Sequence, residues 1–353
     1  MLWTGGRQIR PPVLYSMKIH IMKFGGSSLG TPEKIKNVAE RAAAKIRSGI
    51  MPVLVVSAPA DITDDLIGLG KQVSSEMPAC EHDALVSCGE QISAALCATA
   101  ITQIGFPARS FTGWQAGILT DSSFTDAKVI AFPSEKLYTA IKSGIVPVLA
   151  GFQGAAVDGS ITTLGRGGSD LTAVMAAKAL NADLCEFYTD VKGIYNAHPG
   201  IVADAEVLPL ISYMEVIELG EKGTEVRQLR AIRYAMENKL SMCLRSSFLD
   251  GDAEDSAGTI ISSEGRRGMN VLSIRKVSCN GNDVMKTEIS MIGFRMDDND
   301  FKKFEAVSLR NGAEKVFKEK DCLTALTTEK NGEALLKHIH SAILRGNSNK
   351  TLD

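Results

Sequence analysis

The segment Pro52–Ser57, PVLVVS, is apolar from its first residue to its fifth and offers no polar face to water. A strand of this kind is buried on both sides, which requires helices over both faces of its sheet, the arrangement of parallel sheets. The flanking sequence supplies such helices. Lys18–Lys23 reads as a strand, a Gly-Gly turn follows, and Pro32–Arg47 carries a helical pattern with proline at a tolerated first-turn position. Helical stretches recur over Asp64–Val73, Ala84–Gly105 and Leu171–Asn181, between strand-like runs at Ala108–Phe111, Val146–Ala150 and Leu184–Thr189. The alternation predicts an α/β domain with a mainly parallel central sheet.

Near Ser262–Gly268 the texture changes to SSEGRRG, polar and glycine-containing, which predicts a domain boundary. Beyond it come strand-like Val271–Val277 and Lys286–Phe294, helix-like Asp300–Leu309, strand-like Glu314–Phe317 and Cys322–Thr328, and the helical Gly332–Leu344. With 353 residues available, the division reads as a disordered extension over 1–17, an α/β domain over 18–265 and a small α+β domain over 266–353. Met1–Ser16 has arginines and a Pro-Pro pair but no continuous apolar stretch, so it does not read as a secretory signal, and Met17 or Met22 is the natural beginning.

Charge and cysteine usage narrow the function. Lys plus Arg number 39 against 41 Asp plus Glu, a formal net charge of −2, without the basic excess of a nucleic-acid binder. Apolar runs such as Val53–Val56 and Ile145–Ala150 are of strand length, too short to cross a membrane. The seven cysteines are scattered, with no CxxC pair or close Cys/His cluster, so neither a structural metal nor a disulfide framework is expected. A reducing, cytoplasmic location follows.

Four constellations carry candidate chemistry. Lys23-Phe24-Gly25-Gly26-Ser27-Ser28 ends the first strand, where glycines let the backbone approach an anion and Lys23 adds a point charge. The same residues also suit a plain strand-to-helix turn. Thr162–Asp170, TTLGRGGSD, leads into an apolar helix, so that Arg166 can grip a carboxylate with the Gly167, Gly168 and Ser169 amides facing the same point. Its plainer role is a helix cap at Ser169 or Asp170. Tyr188–Tyr195, YTDVKGIY, sits at a strand's carboxyl end, where α/β sheets bind ligands: Asp190 is placed to orient a nucleotide or metal and Tyr195 to cover a base. The alternative is an Asp turn with a packing tyrosine. In Gly89-Glu90-Gln91, Glu90 either receives a substrate ammonium or is a solvated helical glutamate.

Taken in order, Lys23–Ser28, Ser57–Leu66, Ser87–Gln91, Ser110–Asp121, Thr162–Asp170 and Tyr188–Tyr195 resemble the motifs of aspartate kinases, over about Lys18 to Phe248. The resemblance implies the amino-acid kinase fold and phosphorylation of the L-aspartate β-carboxylate by ATP and Mg2+ to 4-phospho-L-aspartate, the first step toward lysine, threonine and methionine. It places Lys23, Phe24, Gly25, Gly26, Ser57, Thr189, Asp190, Tyr195 and Val226 at ATP, with Lys23 and Asp190 in the chemistry. Thr63, Glu90, Arg166, Gly167, Gly168 and Ser169 match aspartate-binding positions. It also implies a homodimer or higher homo-oligomer, and a tail similar to part of the family's regulatory ACT pair, shortened because two modules of about seventy residues do not fit in Gly268–Asp353.

The chain departs from the family on the nucleotide side. His198-Pro199-Gly200 stands where the family has Asp-Pro-Arg, and Gly223-Thr224-Glu225-Val226 where it has Gly-Ala-Lys-Val. Lys192, Lys222, Arg227 and Arg230 are the cations near enough in sequence to compensate. Met296–Asp300 replaces the glycine-containing turn that usually enters the first ACT helix. The departures leave three readings: an active aspartate kinase, a catalytically weak amino-acid-binding subunit, and a kinase of another small carboxylate or with altered nucleotide preference.

Overall fold

Strands Lys18–Phe24 (β1) and Ile50–Val56 (β2) run parallel in register, and Val53 to Val56 are fully buried, as a doubly covered strand requires. Helix Pro32–Arg47 (α1) connects them, capped by the Thr31 hydroxyl, which accepts from the Lys34 amide. The computed structural model describes residues 17–223, 229–248, 258–265, 270–278, 285–319 and 322–344. The chain divides into two compact units between Glu186 and Phe187.

In the first unit β2 is followed by helices Ile62–Val73 (α2), Ala79–Val86 (α3) and Cys88–Gln103 (α4), then strand Ala108–Phe111 (β3) and the short helix Gly113–Ala116 (α5). Strands Leu119–Thr120 (β4) and Val129–Ala131 (β5), helix Glu135–Lys142 (α6) and strand Val146–Ala150 (β6) come next. Gln153–Ala156 (β7), Ile161–Thr163 (β8), helix Gly168–Ala179 (α7) and Leu184–Thr189 (β9) complete the series, β9 crossing the division. Strands β1, β2, β6 and β3 are consecutive parallel neighbours, and β5-β4-β7-β8 form a separate small sheet. Alternation along β1 sends Lys23 toward α7 and His20 toward α1. On the α1 side, the fully buried Glu186 accepts from Lys45 Nζ at 3.0 Å and lies 3.2 Å from His20 Nδ1.

The predicted helix over Ala84–Gly105 is two helices meeting at Ser87, so Gly89 and Glu90 fall in the first turn of α4 rather than in mid-helix. The combined stretch Ala79–Gln103 is long and apolar enough to cross a membrane by length and composition. It exceeds the strand-length runs expected from sequence, but Val86, Ala94, Cys97 and Ile101 are buried in the unit's interior, as in a core helix.

The second unit continues with strand Leu210–Ser212 (β10), helices Tyr213–Glu221 (α8) and Leu229–Asn238 (α9), and strands Met242–Ser246 (β11) and Thr259–Ser262 (β12). Strands Val271–Ser278 (β13) and Met285–Ile292 (β14), helix Asp298–Arg310 (α10), strands Lys315–Glu319 (β15) and Cys322–Thr328 (β16), and helix Gly332–Ile339 (α11) follow. β12 pairs parallel with β10 and antiparallel with β11, whereas β13-β14-β16-β15 form a separate antiparallel sheet. Phe304, Leu335, Leu336 and Ile339 from α10 and α11 pack with Ile289, Met291, Leu323 and Ala325 from this sheet. The polar run at Met296–Asp300 is a capping box: Asp297 accepts from the Asn299 and Asp300 amides, and Asp300 Oδ2 accepts from the Asp297 amide. The expected C-terminal helix changes geometry at His340, where a π-helical turn runs to Leu344.

Candidate active site

Two close backbone approaches build the floor of the candidate site. A Cβ on Gly26 would lie 2.8 Å from the Ala58 carbonyl oxygen, and one on Gly89 would lie 2.7 Å from Ala58 Cβ. Both positions admit glycine only, so the turn after β1, the loop after β2 and the first turn of α4 meet at Ala58. The contact holds Glu90 in place, its Oε1 accepting from the Ala58 amide at 3.1 Å. Glu90 is 4% exposed, and its buried Oε2 has no hydrogen-bond partner. Burial raises its pKa to about 7, against the opposing pull of the Ala58 amide and the Lys23 charge. Gly89 also abuts Ile62, so half-buried Thr63 sits at the adjoining start of α2.

Lys23 is buried, and its Nζ lies 2.5 Å from Asp170 Oδ1. The plainer alternative offered by the sequence, a helix cap at Ser169 or Asp170, does not form: the cap of α7 is Gly167, at φ +75, which supplies no side-chain bond. Asp170 instead stands in the first turn of α7 and holds the lysine. Its sequence signal is its place three residues after Gly167, on the helix face turned to β1.

The GRGG turn is built by geometry that glycine alone adopts easily, Gly165 at φ +70 and Gly167 at φ +75. Arg166 between them is exposed, and Ser169 is buried against Gly151, where an added Cβ would come within 2.8 Å of Ser169 Cβ. The Gly168 amide donates to Gly165 O at 2.9 Å, so it closes the turn instead of facing outward with its neighbours. Thr172 fixes the turn from below, donating to Gly168 O at 2.9 Å and accepting from the Phe152 amide at 3.2 Å.

Asp83, just ahead of the helix predicted from Ala84, gives no signal in the sequence. In the fold it is fully buried and accepts from the Thr163 amide at 2.7 Å, the Thr163 hydroxyl at 2.9 Å and the Thr125 amide at 2.8 Å. It thereby anchors the strand that delivers the GRGG turn. Phe24 is buried, and the Ser57 amide donates to Phe24 O at 3.1 Å, so both residues shape the turn with their backbones.

Thr189, Asp190 and Tyr195 belong to the second unit. Thr189 Oγ1 accepts from the Val191 amide at 3.3 Å, a local turn, and Asp190 is exposed. Tyr195 is half-buried and bridges Val207 in antiparallel fashion. The His198 ring accepts from the Gly200 amide at 3.1 Å, closing a turn in which Gly200 is exposed. Lys222 pairs with the C-terminal sheet, 2.6 Å from Glu319 Oε2 and 3.8 Å from Glu288 Oε1. Glu225, Val226 and Arg227 lie outside the described residues.

The sequence profile of the amino acid kinase family matches residues 18–246. The aspartokinase of Mycobacterium tuberculosis is 45% identical over 245 residues, covering 69% of this chain and 58% of the relative. An aspartate kinase of Stutzerimonas stutzeri is 41% identical over 271 residues, covering 77% of this chain and 65% of the relative. The matches thus span about three-fifths of the curated relatives' length. The crystal structure of E. coli aspartokinase III in complex with lysine and aspartate superposes with a TM-score of 0.77 at 18% identity, over 92% of this chain and 99% of that one, a likeness of fold.

Proposed function

The chain belongs to the amino acid kinase family, and from that premise we propose that it is an aspartate kinase, transferring the γ-phosphoryl group of ATP to the β-carboxylate of L-aspartate. The observation that carries this reading is Glu90 Oε2, a buried carboxylate oxygen with no hydrogen-bond partner, beside a lysine–aspartate pair and an arginine-bearing turn. A buried anion of this kind is costly alone and is satisfied by a substrate cation such as an α-ammonium. Arg166 would take the α-carboxylate, with Thr63 and Ser169 at the same substrate.

The β-carboxylate is already ionised near neutral pH, so its oxygen attacks the γ-phosphorus without a general base, and ADP leaves as the anhydride bond breaks. Lys23 would neutralise charge on the transferred group, with Asp170 fixing its ammonium. Thr189, Asp190, Tyr195 and Val226 would hold the nucleotide. Asp190, exposed directly after β9, would be the chain's own oxygen donor to Mg2+ carried in on the phosphates. Bound there, the ion supplies charge neutralisation.

The β12-to-β13 change of sheet supports a kinase module over 18–265 and an ACT-like module over 266–353, and the assembly is proposed as a cytoplasmic homo-oligomer. A second reading, a catalytically weak amino-acid-binding subunit, draws on exposed Gly200 and the committed Lys222. The full chain with MgATP, aspartate and hydroxylamine decides between them. Aspartyl hydroxamate formed in step with ADP is the expected result. Aspartate binding with no product favours the second reading.

A further inference from the structure

The candidate nucleotide loop does not end free. One residue past Tyr195, Asn196 is held on three sides. Its amide donates to Glu206 O at 2.9 Å, its carbonyl accepts from the Leu272 amide of β13 at 2.8 Å, and its Oδ1 accepts from the Glu206 amide at 3.0 Å. The same Oδ1 lies 3.3 Å from Nε2 of His340, which is buried at the start of the π-helical turn after α11. The loop that Asn196 opens sends Ala197 and Val202 into the apolar core formed by β13, β14, β16, α10 and α11. The Leu208 amide returns to Ile194 O at 2.8 Å and closes the loop behind Tyr195. The loop that follows Tyr195 and the C-terminal sheet therefore share one core, although the sequence assigns them to different modules.

We propose that Asn196 and His340 are positioning residues through which the C-terminal sheet fixes the Tyr195 end of the nucleotide loop, so that this sheet sets nucleotide affinity while leaving amino-acid affinity alone. This rests on the nucleotide assignment of Thr189–Tyr195 made above. The π-helical turn is consistent with it: such turns are rare and cluster at functional positions, and here one begins at the residue that reaches Asn196. The bond needs a donor at position 340 and an acceptor at 196. Glutamine at 340 preserves the donor and leucine removes it. Oδ1 then keeps only the Glu206 amide, and the loop loses its side-chain tie to the turn after α11.

The test uses the purified full chain. Binding of MgADP is measured by calorimetry without aspartate, and the aspartate KM by the hydroxamate assay. His340→Leu should raise the MgADP Kd about fivefold to tenfold, as loss of one buried hydrogen bond predicts. His340→Gln should restore it to within about twofold of wild type. Aspartate KM should move less than about twofold in both. Should His340→Leu fail to fold, Asn196→Ser removes Oδ1 but keeps both backbone bonds, and should raise the same Kd. An unmoved MgADP Kd in a folded variant overturns the proposal, and so does an equal loss in His340→Leu and His340→Gln or a parallel loss of aspartate affinity. Wild type that binds MgADP but forms no hydroxamate counts against the kinase reading alone, with the coupling still judged by the Kd. Wild type that binds no MgADP overturns both.

Discussion

The Lys23–Glu90–Asp170 region and the Thr189–Tyr195 region solve the problem of holding charge in opposite ways. In the first, Lys23, Glu90 and Asp170 are buried, and Glu90 is held by backbone contacts at Ala58 that tolerate only glycine, at Gly26 and Gly89. In the second, Asp190 is exposed, and order comes from the loop's attachment to a neighbouring core. Buried charge is expensive to maintain and strongly selective, since an unmatched ligand leaves it unpaired. Exposed charge is screened, so affinity there depends on summed small terms and changes by degrees. Substitutions in the first region should therefore act steeply and in the second gradually.

The steepest effect is expected at Lys23. Lys23→Met should lower kcat about a hundredfold or more, because charge on the transferred group then loses its preorganised partner. Both KM values should change only a few fold, and Lys23→Arg should recover part of kcat. Steady-state kinetics in both substrates checks this, and wild-type turnover in Lys23→Met would make the Lys23–Asp170 pair purely structural. The melting temperature should fall too, since the variant leaves Asp170 buried without its cation.

Glu90 comes next and carries a pH signature. If its ionised form binds the substrate ammonium, kcat/KM for aspartate should fall about tenfold per pH unit below 7 and level off above it. Glu90→Gln should flatten that limb and lose about a hundredfold in kcat/KM at pH 8. Stability should move the other way. The folded pKa of about 7 lies above the ordinary 4.5, so between these values the unfolded chain has released a proton that the folded chain keeps. Stability therefore falls as pH rises through that window, and Glu90→Gln should be more stable than wild type at pH 8 by about 1–3 kcal/mol. Denaturant titrations at pH 5 and 8 measure this difference, and a variant less stable at pH 8 would contradict the burial argument.

Much of this comparison was legible before the fold. The apolar run at β2, the glycine turn at Lys23–Ser28 and the GRGG segment depend on local chemistry, and local chemistry is written in order along the chain. What escaped depends on partners distant in sequence. Asp83 carries no signal until Thr163, eighty residues on, supplies its donors. Asp170 reads as a cap until β1 presents Lys23. Strands of two to four residues such as β4, β5, β7 and β8 are too short to show alternation, and they went unpredicted. The break at Ser87 was hidden because helical backbone angles, φ −63 and ψ −18, pass through it. His340 gave no warning, since a π-helical turn looks helical in sequence.

Arg166 tests the first region at its edge. It is the exposed member of an otherwise buried set, so its contact with a carboxylate is partly screened. Arg166→Ala should raise aspartate KM about tenfold to thirtyfold, less than a fully desolvated arginine would lose, with MgADP affinity unchanged. Titrating both ligands against the variant separates these effects. An aspartate KM equal to wild type would remove the GRGG turn from substrate recognition.

The smallest effect is expected from restoring charge in the second region. Gly200 is exposed and lacks a positive φ, and a Cβ there would meet only the His198 ring, at 3.0 Å, so arginine fits with a small ring displacement. Gly200→Arg adds one positive charge at a screened position, which should tighten MgADP binding about twofold to fivefold. Adding Glu225→Lys, a further change of two charges, should extend the gain toward tenfold, with aspartate KM constant throughout. Raising salt should erode the gain, because exposed charges are screened over about 10 Å at 0.1 M ionic strength. Calorimetry at two salt concentrations and fixed magnesium reads both trends. A gain that ignores salt would mean that the new arginine is buried against the nucleotide, and the contrast between a steep region and a gradual one would then fail on the nucleotide side.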